Sequence, residues 1–228
     1  SIDDTTERVV SQYQKNNQID YYRMESSIFP DDKAKAAICQ SEDEFFYLMG
    51  DGNVVDFNLL EAQLIEGNYL DCLVIDIETS QRIGYLNQDS NVIPGKIYKY
   101  DDDVEYLKKY YSHLTYWGAS IIKRLPFLDA LKRRKDINGK WAWWLSGSLA
   151  SCIYSNLHKK NKYGVLYTEA IDYTILKKGH SWTKGDVYYD IVFKEFNNEI
   201  DKLPNRYEGI KDDIIIFFRN LYHLQALP

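Results

Sequence analysis

The residues whose types and order suit chemistry gather in the second half of the chain. Gly179-His180-Ser181-Trp182 is followed by Gly185-Asp186-Val187-Tyr188-Tyr189-Asp190. A histidine at the end of one strand and an aspartate in the next become neighbours across a hairpin. Asp190 would then orient the His180 imidazole and stabilise its protonated form, as a nucleophile–histidine–acid triad requires. Trp182 would shield the pair from water. Such a pair serves a thiol best when the thiol lies near a helix N-terminus, where the dipole favours the thiolate. Cys152 is the only cysteine of this half, in Ser146-Gly147-Ser148-Leu149-Ala150-Ser151-Cys152. A helix starting at Ser148 puts Cys152 in its first turn. A helix starting near Asn138 puts it mid-helix, as a small buried apolar residue.

The segment Asn138-Gly139-Lys140-Trp141-Ala142-Trp143-Trp144-Leu145-Ser146-Gly147-Ser148-Leu149-Ala150, taken with His180-Ser181-Trp182 and Asp190, resembles papain-fold and transglutaminase-like cysteine enzymes. In those families a Gly-rich turn leads to Cys-Trp at the start of a central helix. A His-Ser/Ala-Trp strand and an Asp on the following strand complete the site. The resemblance aligns Trp143 with the tryptophan after the nucleophile and makes Ala142 the nucleophile position, with Asn138, Trp141, Trp143 and Trp182 lining the site. It covers residues 138–193. The departure is that Ala142 is alanine where the pattern has cysteine. Either the chain is a Cys-to-Ala variant or it is a natural pseudoenzyme, and the retained His180 and Asp190 favour the variant. The His-Ser-Trp style, total length and β-rich first part are also similar to leader peptidases of lasso-peptide biosynthesis. The resemblance implies a cysteine acyl-transfer enzyme, a peptidase, deamidase or transglutaminase, acting on a peptide or protein amide with no metal and no organic cofactor.

A second resemblance competes. Trp144-Leu145-Ser146-Gly147-Ser148-Leu149-Ala150 is similar to the Gly-Ser turn of nucleotidyltransferases, in which carboxylates close a two-metal site. Gly147 and Ser148 would cradle the nucleotide, and Asp172 and Asp190 would hold Mg. In Thr168-Glu169-Ala170-Ile171-Asp172, however, alanine stands at the first carboxylate position, and His180-Ser181-Trp182 goes unexplained. A catalytically inactive binding module is the third reading.

Other candidates are weaker. Asp101, Asp102 and Asp103 could hold a metal or a sugar nucleotide, but a charged helix start explains them better. Cys39 and Cys72 fall in apolar strand-like runs and read as core. His113, His158 and His223 have no partner at ligand spacing. The lysines near 132–135 and 159–162 read as solvated surface.

These residues must be positioned by elements that the pattern also outlines. Residues 1–24 are polar with weak helical spacing through Val9, Val10, Tyr13 and Ile19. From 21 to 100, short strand-like runs at 37–39, 45–48, 54–57, 69–77, 82–86 and 96–100 are separated by turn signals, with a short helix near 59–65. Beyond 101 the period becomes helical. Val104, Leu107, Tyr111, Leu114 and Trp117 share a face, and a second helix covers 128–135. An aromatic and small-residue run reaches 157, strands cover 163–176 and 186–193, and a final helix covers 210–224. The expected fold class is α+β, with a β-rich region over 1–100 for substrate recognition. A papain/transglutaminase-like catalytic domain, a central helix packed on antiparallel strands, would occupy 101–228.

Composition narrows the partners. The 228 residues carry 28 Lys+Arg against 34 Asp+Glu, so no basic excess exists to neutralise nucleic-acid phosphates or an anionic membrane. Aromatic residues make up 15% of the chain, which argues for a packed core rather than disorder. Three widely spaced cysteines suit a reducing compartment, so a cytoplasmic location is expected, with a secreted effector as the other option. No apolar run is long enough for a membrane helix. Tyrosine, with 20 residues, is the unusual feature.

Overall fold

Two apolar runs far apart in the chain, Cys-Leu-Val-Ile-Asp-Ile at Cys72–Ile77 and Tyr-Gly-Val-Leu-Tyr-Thr at Tyr163–Thr168, have the near-continuous hydrophobicity of strands covered on both faces. In the computed structural model they pair in parallel, with Cys72 opposite Tyr163 and Ile77 opposite Thr168. The structure describes residues 5–14, 19–25, 27–28, 30–49, 54–65, 70, 72–77, 93–114, 118–133, 142–153, 162–172 and 194–221. In chain order the elements are α1 (Thr5–Gln14), α2 (Pro30–Gln40), β1 (Phe45–Tyr47), β2 (Val54–Val55), α3 (Phe57–Leu64), β3 (Cys72–Ile77) and β4 (Ile97–Tyr100). They continue with α4 (Asp103–Leu114), β5 (Ser120–Lys123), α5 (Arg124–Arg133), α6 (Ala142–Ile153), β6 (Tyr163–Thr168), β7 (Ile171–Asp172), α7 (Asn197–Asp201), a 3₁₀ turn (Asn205–Tyr207) and α8 (Glu208–Leu221). The fold is α+β, as expected. Among the described residues no helix is long and apolar enough to cross a membrane.

The chain divides into two compact units, Ser1–Glu42 and Asp43–Pro228. The first holds α1 and α2, and an Arg23–Glu7 ion pair at 2.9 Å. The strand expected at 37–39 is instead the end of α2. Pro30 suits a first helical position, Asp31 and Asp32 favour the positive end of the dipole, and buried Ala34 and Ile38 have i,i+4 spacing. A three-residue apolar run does not by itself distinguish strand from helix.

The second unit is built on a five-stranded mixed sheet in the order β1-β5-β3-β6-β4. β1–β5, β5–β3 and β6–β4 are antiparallel and β3–β6 is parallel, and each pairing joins a strand before residue 101 to one after it. Alternation along the strands sends side chains to two faces. On one face Leu73, Ile75, Ile97 and Leu166 pack with Leu60 of α3, Leu70, Ala170 and Ile171. On the other, Tyr163 stacks on Tyr106 of α4, and Phe46 meets Phe127 of α5 and Trp144 of α6 edge-on. Thus α3 covers one face and α4, α5 and α6 cover the other.

Local signals explain several boundaries. Asp102 Oδ1 accepts from the backbone N–H of Val104 at 2.8 Å and of Glu105 at 2.9 Å, capping α4. Leu107, Tyr111 and Leu114 are buried, as the helical period of that stretch requires. Gly118, at φ 84°, reverses the chain after α4 and lets β5 begin at Ser120, a strand that the helical reading of this region missed. The run at 163–176 breaks after Thr168, whose Oγ1 accepts from Ala170 N at 2.9 Å. The expected helices at 59–65, 128–135 and 210–224 correspond to α3, α5 and α8 with shifted ends. The strands expected at 82–86 and 186–193 lie outside the described residues.

A boundary at residue 101 is not where the chain divides. β1, β3 and β4 precede it, β5 and β6 follow it, and all five share one sheet. The β-rich stretch is therefore part of the same core as the helical one, because each strand's backbone groups are satisfied only by partners from across that position. Accordingly, a fragment of residues 101–228 is expected to show no cooperative urea transition by far-UV circular dichroism, whereas residues 43–228 retain one. A cooperative transition in the shorter fragment would restore the boundary at 101.

Candidate functional site

Position 142, the nucleophile position of the resemblance, is the first described residue of α6. The first turn of any helix leaves backbone N–H groups without intrahelical acceptors and carries partial positive charge. Residues 143–149 are all buried, Ser146 and Ser148 among them, as in a helix enclosed by its neighbours. Trp143 and Trp144 meet each other and Phe127 at ring-centroid distances of 5.6 to 6.1 Å. Trp143, expected to line a site, is thus a core side chain, only 2% exposed.

Two expectations about this helix are overturned. Gly147 and Ser148 do not form a phosphate-cradling turn, because both lie inside α6. Gly147 is there for packing, since a Cβ at that position would stand 2.5 Å from Phe127 Cε2. The nucleotidyltransferase reading loses its Gly-Ser turn. Asp172, its proposed metal ligand, ends β7, where it pairs with Val54. Cys152 lies inside α6, ten residues after Ala142, and not in the first turn of a helix starting at Ser148. A thiol away from a helix N-terminus has no dipole to favour its thiolate.

His180, Asp190, Asn138, Trp141 and Trp182 lie outside the described residues, as do His158 and His223. Among the described residues no three His, Cys, Asp or Glu side chains are grouped to hold a metal ion. Cys39, expected in the core, is exposed at the end of α2, because that segment is helix rather than strand. Cys72 is buried in β3 as expected, with Sγ 3.8 Å from Tyr106 Oη. His113 is buried on α4, 5.5 Å from the Tyr110 ring. Asp103 accepts from Tyr207 Oη at 2.5 Å and pairs with Arg206, tying the start of α4 to the 3₁₀ turn. The aspartate run therefore caps and anchors a helix.

What the structure gathers, and the motif reading passed over, is tyrosine. Tyr98 and Tyr100 on β4, Tyr106 and Tyr110 on α4, and Tyr163 and Tyr167 on β6 meet on the α4 face of the sheet. Tyr110 Oη is 2.9 Å from Tyr100 Oη and 3.1 Å from Tyr167 Oη. Each phenol carries one hydrogen, so Tyr110 cannot donate to both neighbours and at least one of them donates to it. Lys109 Nζ donates to Tyr100 Oη at 3.2 Å and lies 5.7 Å from the centroids of both the Tyr100 and Tyr110 rings, a cation–π arrangement. Tyr106 Oη donates to the Gly164 carbonyl at 3.0 Å. The spacing that could have revealed this cluster was present: i,i+2 on a strand, i,i+4 on a helix and i,i+4 on a second strand each keep two tyrosines on one side.

Burial pushes the Tyr110 hydroxyl far above the ordinary tyrosine range, and its hydrogen bonds to Tyr100 and Tyr167 push it further. Tyr111 is raised by burial and by the Asp213 charge, and Tyr207 by burial and by its hydrogen bond to Asp103. These phenols stay protonated at physiological pH and act as neutral donors and acceptors that hold the layers together. No protein-family model matches this chain, and no curated protein matches it either.

A phenol whose pKa is raised by folding keeps its proton where the unfolded chain has released it. Its stabilising contribution is therefore full below about pH 10, the ordinary tyrosine value, and is lost as pH rises above that. Unfolding free energy from urea titrations is expected to fall between pH 9 and pH 11. Tyr110→Phe should remove up to about 1.4 kcal/mol per pH unit of that slope. It should also cost about 1–3 kcal/mol at pH 7 by unpairing neighbouring hydroxyls. An unchanged slope would show that Tyr110 titrates alike in both states. Gly147→Ala gains about 1 kcal/mol in helix propensity, but the clash with Phe127 should leave it about 1–3 kcal/mol less stable overall. That loss should shrink in a Phe127→Leu background, measured as a double-mutant cycle.

Proposed function

We propose that the chain carries the scaffold of a cysteine acyl-transfer enzyme acting on a peptide or protein amide, with position 142 as the nucleophile site. The observation that supports this reading is that Ala142 opens the described part of α6. A thiol there would have the helix dipole to favour its thiolate, and backbone N–H groups of the first turn to stabilise an oxyanion. In this reading His180 is the base that takes the thiol proton and then the acid that protonates the leaving amine, while Asp190 orients the imidazole. Hydrolysis of the acyl intermediate gives peptidase or deamidase activity, and its capture by an amine gives transfer. Ala142 itself favours a second reading, in which the chain as it stands binds a peptide without cleaving it.

Installing the thiol tests the arrangement directly. Ala142→Cys is expected to react with iodoacetamide at pH 7 on the order of tenfold faster than an unperturbed cysteine, because a lowered pKa raises the thiolate fraction. The rate is read at peptide resolution by mass spectrometry, so that Cys39, Cys72 and Cys152 serve as internal references. Adding His180→Ala should return position 142 to the ordinary rate. Equal rates with and without His180 would defeat the triad reading.

A further inference from the structure

We draw no further inference here: the strongest candidate, the Lys109–Tyr100–Tyr110–Tyr167 hydroxyl cluster between β4, α4 and β6, is accounted for by the packing already described, and nothing among the described residues shows a ligand that it would hold.

Discussion

The parallel pairing of β3 with β6 is the constraint from which the rest of the second unit follows. The two strands are joined through a stretch of roughly 90 residues, so closing that loop costs conformational entropy before any contact rewards it. Local hydrogen bonding cannot offset such a cost. Burial on both faces does, because Leu73, Ile75 and Leu166 leave water on one side while Val74 and Val165 do so on the other. Once the pair is buried, every backbone group in it must find a partner within the sheet. β5 then pairs with the free side of β3, and β4 with the free side of β6. The intervening chain has to supply helices that cover the resulting faces.

The two halves of the helical cover use different chemistry. Over β1 and β5 the cover is apolar: Phe46, Phe127, Trp143 and Trp144 meet edge-to-face in all but the tilted Phe127–Trp144 pair, a geometry that aromatic quadrupoles favour. It demands close approach, and Gly147 provides it by leaving room for the Phe127 ring. Over β4 and β6 the cover is aromatic but polar. Six tyrosines present rings to the layers, and the hydroxyls of Tyr100, Tyr106, Tyr110 and Tyr167 bond one another, Lys109 or the Gly164 carbonyl. This accounts for six of the 20 tyrosines. A phenol can bury a large ring close to a sheet edge and still satisfy its polar atom, where phenylalanine would leave apolar surface exposed and lysine would bring a charge.

The legible parts of the fold were those written in short-range pattern. The α4 start could be read from Asp101, Asp102 and Asp103 because a cap is a contact within one turn, and Asp102 does cap it. The α+β class and the strands at 45–47, 72–77 and 97–100 could be read because alternation and apolar runs are local. The helix at 30–40 and the strand at 120–123 could not. Ala37, Ala36 and Ile38 look alike as strand or helix until Ala34 is seen to bury with Ile38. Ser120 to Lys123 joins the sheet through partners in β1 and β3, far away in sequence. The Gly147-Ser148 dipeptide was misread as a turn because a glycine needed for packing and one needed for a turn are the same letter.

The sequence alone determined the fold class, the acidic balance and the capped start of α4. Those are matters of composition and of neighbours within a few residues. Only the tertiary structure decided that residues before and after 101 belong to one sheet, and that the tyrosines converge. Each depends on which distant segments bury against each other. That choice is set by the entropy of closing the chain and the satisfaction of buried polar groups across the whole unit.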